Sequence, residues 1–140
     1  MTSEPPIELG PQRDKTTSSN AEALRRFSEA WTRGDVDTLI RLMTDVPTYR
    51  ASVGSAPGAV YHGRDEVRAA FSRLLSGPPP GNDPPPPSGE VAFFGNRALS
   101  FWKLRGRAPD GSPAIVEGVD VLTFDESGRI AVKDSYRKTW

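Results

Sequence analysis

Residues 114–137, AIVEGVDVLTFDESGRIAVKDSYR, decide the fold. Two runs rich in β-branched and aromatic residues flank the turn sequence Asp125-Glu126-Ser127-Gly128, so the stretch reads as two long antiparallel strands. Asp120 stands inside the first run, with Val119, Val121, Leu122 and Phe124 around it. An ionised carboxylate among such neighbours is poorly solvated unless a donor or a cation meets it. Two readings follow. Either Asp120 moves a proton or orients a ligand in a small-molecule site, or it only satisfies its own backbone or a neighbouring lysine.

Working back from this stretch, Ala98–Arg107 and Glu90–Phe94 also read as strands, and Asp110-Gly111 supplies a turn. The order of elements before residue 90 is different. Ser19-Asn20-Ala21-Glu22 has the form of a capping box, after which Leu24, Phe27 and Trp31 fall on one helical face. Gly34 stops that helix and Asp35 caps another, with Val36, Leu39, Ile40 and Met43 at i, i+3, i+4 and i+7. Thr48–Val53 reads as a short extended piece, and a third helix spans Arg64–Leu75 with Val67, Ala70 and Phe71 on its apolar side. Three helices followed by an antiparallel meander is an α+β pattern.

Proline placement marks the remaining boundaries. Residues 1–19 are rich in Pro, Ser, Thr and charge without apolar periodicity, and read as a flexible tail to a single domain at 20–140. Half of the 14 prolines lie in Gly77-Pro78-Pro79-Pro80-Gly81-Asn82-Asp83-Pro84-Pro85-Pro86-Pro87. A run of that kind suits neither a helix interior nor a central strand, so 77–89 reads as a stiff spacer between the third helix and the sheet.

Composition bounds the function. At 140 residues there is room for one core. The 18 basic and 18 acidic side chains cancel, so no global field attracts nucleic acid or an anionic membrane. No membrane-length apolar run or leader-like start is present, and a cytoplasmic location is expected. With no cysteine and one histidine, disulfides, thiolate chemistry and a His-rich metal cluster are excluded; no metal and no cofactor are expected.

Four phrases in order resemble the SnoaL-like branch of the nuclear transport factor 2-like superfamily: Ala30-Trp31-Thr32-Arg33-Gly34-Asp35-Val36-Asp37-Thr38-Leu39, then Leu42-Met43-Thr44-Asp45-Val46, then His62-Gly63-Arg64-Asp65-Glu66-Val67, then Gly118 through Ile130. The resemblance covers about residues 20 to 137. It implies a cone-shaped α+β fold, three N-terminal helices on a strongly curved, mainly antiparallel sheet enclosing a pocket. Polyketide cyclases, ketosteroid isomerases and epoxide hydrolases share that fold with proteins of no chemistry, so the pocket residues must decide function.

Relative to the ketosteroid isomerases, the general-base Asp falls at Ala51, and the two tyrosines fall at Phe27 and Phe71. Only their second oxyanion-hole member has a counterpart, Asp120, so isomerisation by that mechanism is not expected. The Asp-Arg-Asp set of the limonene-type epoxide hydrolases is not reproduced; Lys103 and Arg105 stand in its strand. The cyclases, which rely on a single acid–base Asp on a late strand, are nearest in logic. The resemblance therefore implies a cofactor-independent isomerase, cyclase or lyase acting on a carbonyl-containing, polyketide- or terpenoid-like metabolite through Asp120. Tyr49 shares parity with Ala51 on the short strand, so it is either a second acid or donor in the pocket or a half-buried structural tyrosine. The alternative is a noncatalytic ligand-binding or dimerising module of the same fold.

The same comparison, with strand alternation, puts Phe101, Lys103 and Arg105 inward on one strand and Lys133, Ser135 and Arg137 inward on the last. Phe27, Trp31, Phe71 and Phe101 then form aromatic walls, and the cations suit a hydrophobic substrate bearing a carboxylate or an enolisable carbonyl. Trp102, Leu104, Val132 and Tyr136 fall on the outer face, where a homodimer contact is expected. A one-residue slip would exchange these lists.

Overall fold

The computed structural model describes residues 15–76 and 89–138. In chain order the elements are α1 (Lys15–Arg33), α2 (Val36–Arg41), β1 (Met43–Arg50), β2 (Val60–His62), α3 (Gly63–Leu75), β3 (Val91–Phe94), β4 (Arg97–Arg107), β5 (Pro113–Phe124) and β6 (Ile130–Arg137). The three helices and the four late strands fall within a residue or two of their expected places, apart from the start of α1. That helix begins at Lys15, so Ser19–Glu22 is helix interior rather than a capping box, and the expected tail boundary at residue 19 moves back. Tertiary packing overrides the local cap: Asn20 is buried, and a Cβ built on Gly128 would come within 2.7 Å of Ser19 Oγ. Residues 1–14 and the expected spacer at 77–88 lie outside the described residues.

Gly34 ends α1 with φ 71°, a left-handed conformation that a side chain would strain. Asp35 then caps α2, accepting from the backbone N–H of Thr38 at 3.2 Å and from its hydroxyl at 2.8 Å. Those bonds to Thr38 hold the Asp35 carboxyl down at about 2. The start of α3 is tied to β1 by Arg64, whose guanidinium donates to the carbonyls of Thr44 at 3.1 Å and Met43 at 3.0 Å. Both β1 and α3 are thereby fixed relative to the sheet.

The six strands form one sheet in the order β2-β1-β6-β5-β4-β3. Its β3–β4–β5–β6 part is the expected antiparallel meander. The pairing of β1 with β6 is parallel, so the sheet is mixed rather than antiparallel throughout. It is also open and not strongly curled, which corrects the tight cone that the resemblance implied. β1 starts earlier than the extended piece expected at Thr48–Val53 and ends at Arg50. In the structure Pro47 is buried where the β1–β6 register shifts between Met43 and Thr48, a place where a missing N–H breaks no regular ladder.

The core fills the space between the helices and one sheet face. Phe27, Ala30, Leu39, Ile40, Val67 and Phe71 come from the helices, and Ala98, Leu122, Phe124 and Ile130 from the strands. Phe71 is the hub. Its ring meets Trp31 edge-on at 5.1 Å, Phe27 edge-on at 6.2 Å and Tyr49 at 5.1 Å, geometries that aromatic quadrupoles favour.

Candidate functional site

The pairing register fixes which side chains share a face. Asp120 on β5 stands opposite Ser135 on β6 and Ser100 on β4, and Lys133 on β6 stands opposite Tyr49 on β1. Since directly paired residues point the same way, Asp120, Ser135, Lys133 and Tyr49 all face the helices. Trp31 and Phe71 close over them from α1 and α3.

The polar groups at the centre of this face form one network. Asp120 Oδ2 accepts from Lys133 Nζ at 2.8 Å, and Oδ1 accepts from Ser135 Oγ at 2.7 Å and from the indole Nε1 of Trp102 at 2.9 Å. Lys133 Nζ also donates to Ser135 Oγ at 3.1 Å. The ammonium lies 4.6 Å from the Trp31 ring centroid and 5.2 Å from that of Tyr49, so two aromatic faces help to solvate it. With 6% of the Lys133 side chain and 15% of the Asp120 side chain exposed, this is an ion pair withdrawn from water.

Such a pair is costly to bury, and replacing one by apolar residues is often neutral or stabilising. It is therefore weak as a device for stability. Chemically it offers an ionised carboxylate that can take a proton, with an ammonium beside it that can donate a hydrogen bond to a developing oxyanion.

Tyr49 adds a third group. Burial, reinforced by the Asp120 charge and then by Tyr61, raises its phenol to about 12, while a hydrogen bond with Ser135 works the other way. At neutral pH it is a donor. Because the folded chain holds this proton more tightly than the unfolded chain, the stabilisation is complete below the ordinary tyrosine value of about 10 and is lost as pH rises toward 12. An ultraviolet phenolate titration is expected to show one step near pH 12 that Tyr49→Phe removes; an unchanged titration would place the buried phenol elsewhere.

Of the residues picked out from sequence, Asp120, Tyr49, Phe27, Trp31, Phe71, Lys133 and Ser135 are brought together. Phe101, Lys103 and Arg105 are not. The β4 register pairs Ser100 with Asp120, so those three point to the other face, and Phe101 and Lys103 are exposed. Trp102 and Leu104 change places with them. Arg137 keeps the parity expected of it but is exposed at the sheet end. Trp102, expected on the outer face, instead faces the helices and donates to Asp120. Among the described residues no group of three or more acidic or histidine side chains is arranged to hold a metal, and no helix is long and apolar enough to cross a membrane.

Comparison with known proteins follows the same lines. The family model described as "SnoaL-like domain" matches residues 24–133. An NTF2-like protein of unknown function from Mesorhizobium loti is 26% identical, superposes with a TM-score of 0.72, and the match covers 94% of this chain and 99% of that one. A second NTF2-like protein of unknown function, from Burkholderia pseudomallei, is 22% identical with a TM-score of 0.66, covering 86% of this chain and 91% of the other. SalBIII, an epoxide hydrolase/cyclase-like enzyme in pyran ring formation in the polyether salinomycin, is 17% identical with a TM-score of 0.67, covering 87% and 92%.

Proposed function

The chain belongs to the SnoaL-like domain family, and we propose that it is a cofactor-independent enzyme of isomerase or cyclase type acting on a carbonyl-containing metabolite. The observation that carries this reading is the withdrawn Asp120–Lys133 pair set among Trp31, Tyr49 and Phe71. SalBIII supports it as a fold relative with ring-closing chemistry.

In this reading Asp120 Oδ2 takes a proton from the carbon next to a ligand carbonyl. The C–H electron pair moves into the enolate, and the enolate oxygen accepts a hydrogen bond from Lys133, with the neutral Tyr49 phenol as a second donor. Where a double bond is conjugated with the enolate, return of the proton from Asp120 to its far carbon gives an isomer. Attack of the enolate carbon on a second carbonyl closes a ring, and the alkoxide so formed takes the proton back from Asp120. The hydrophobic substrate sits against the aromatic rings, and a carboxylate-bearing one gains from the same cation.

The test needs no knowledge of the natural substrate. Wild-type protein in deuterium oxide is offered a panel of aryl ketones and cyclic ketones, and deuterium entry at the α carbon is followed by proton NMR. Exchange above the buffer rate is expected for members of the panel. Buffer rates throughout would favour the second reading, a ligand-binding module. One feature speaks for that second reading: three donors already meet the Asp120 carboxylate, so the polar groups of this face satisfy one another without a ligand.

We also propose a homodimer, formed through the outer face of the sheet. Phe101, Val119 and Tyr136 are cross-strand neighbours there, and Phe101 and Tyr136 are 44% and 53% exposed. Phe101→Asp is expected to halve the mass measured by light scattering at micromolar concentration. A wild-type monomer would reject the proposal.

A further inference from the structure

The geometry points to Trp102 as the positioning residue of Asp120, with Gly118 as the gap that admits it. Trp102 pairs directly with Gly118 across the β4–β5 ladder, two residues from Asp120. Diagonal neighbours at that spacing lie within reach of an aromatic side chain. The indole uses that reach: its ring lies over the Gly118 backbone, and Nε1 arrives 2.9 Å from Asp120 Oδ1.

Gly118 is not in the left-handed region, so backbone conformation does not call for glycine there. Space does. A Cβ at that position would overlap indole Cζ2 and the Tyr136 carbonyl oxygen, and would sit 2.6 Å from indole Cη2. Any side chain at 118 therefore drives the indole off its seat. A glycine inside a strand weakens it unless another group must approach closely, and the groups that approach here are the Trp102 ring and the Tyr136 carbonyl.

The consequence is a choice between the two carboxylate oxygens. Oδ1 accepts from both Trp102 and Ser135, which uses the two bonds that a carboxylate oxygen ordinarily accepts. Among the described residues, Oδ2 accepts from Lys133 alone. It is thus the oxygen with a lone pair left for a ligand, and it lies on the side of the ammonium. Trp102 fixes this by anchoring Oδ1 against rotation of the carboxylate. That Asp120 then acts on a ligand rests on the function proposed above; the anchoring itself does not.

Trp102→Phe keeps a ring over Gly118 and removes only the N–H. Gly118→Ala keeps the N–H and removes the seat. In wild-type protein the Trp102 indole resonance in an NMR spectrum is expected to be protected from solvent exchange and to move in Asp120→Asn. In Gly118→Ala that protection is lost. A crystal structure of Trp102→Phe is expected to show the Asp120 carboxylate turned from its wild-type torsion, and α-proton exchange is expected to lose about tenfold in kcat with KM little changed, the size of one hydrogen bond to a charged group.

An indole that stays protected in Gly118→Ala, or an Asp120 torsion unchanged in Trp102→Phe, would overturn the proposal. If wild-type protein exchanges no ketone, the enzymatic reading falls, and the NMR and crystallographic results still decide whether Trp102 positions Asp120.

Discussion

Lys133→Met is expected to lower the stability of the domain by about 3–5 kcal/mol, the usual cost of leaving one member of a buried ion pair without its partner. Methionine retains most of the aliphatic length that packs beside Trp31 and Tyr49. What disappears is the ammonium, with its hydrogen bonds to Asp120 at 2.8 Å and Ser135 at 3.1 Å. Asp120 keeps the Trp102 and Ser135 donors, which holds the loss toward the lower end of the range. Urea unfolding is the measurement, and a lower midpoint with an unchanged slope is the expected outcome. The contrast with the surface is large. Arg25 pairs with Glu22 and Glu29 on side chains more than half exposed, and such water-screened pairs contribute little. A Lys133→Met midpoint equal to wild type would mean that the ammonium is solvated and the pair is not a buried one.

Much of this arrangement is legible in the sequence, and the part that is not has a definite cause. Lys133 and Ser135 face inward, the placement the family resemblance implied: both are buried, and Asp134 and Tyr136 face away. β4 gives no such guidance. Leu99-Ser100-Phe101-Trp102-Lys103-Leu104 carries apolar residues on both parities, so a period of two fits either face. The ladder decides it, by pairing Trp102 with Gly118, and that contact depends on two strands rather than on one. The parallel pairing of β1 with β6 is equally nonlocal, joining residues more than 80 positions apart, as in Tyr49 with Lys133. The start of α1 at Lys15 has a related cause: Ser19 is a good local cap, yet the contact of the helix with the Gly128 turn is made only in the folded chain.

The position of Lys133 also changes what Asp120 has to be. Its apolar strand neighbours leave Asp120 dependent on a donor or a cation, and it is met by a cation, a hydroxyl and an indole N–H. The local alternative, an Asp satisfied by a neighbouring lysine, is therefore part of the answer. Its distinguishing feature is location. Both side chains stand on the face that packs against Trp31, Tyr49 and Phe71, where an apolar pair would serve folding as well.

Asp120→Asn isolates the chemistry. The amide oxygen still accepts from Trp102 and Ser135, and the side-chain shape is preserved, but no proton can be taken. For a group acting as general base the loss is expected to be at least about 10²-fold. Lys133 loses its counter-charge in this variant, so the protein is also less stable, and the comparison belongs at a temperature where circular dichroism shows both proteins folded. Under that condition, the rate of deuterium entry at the α carbon of a responsive ketone is measured for wild type and for Asp120→Asn. Exchange above buffer is expected for wild type and at least about a hundredfold less for the variant; equal rates in the two folded proteins would show that Asp120 is not the base.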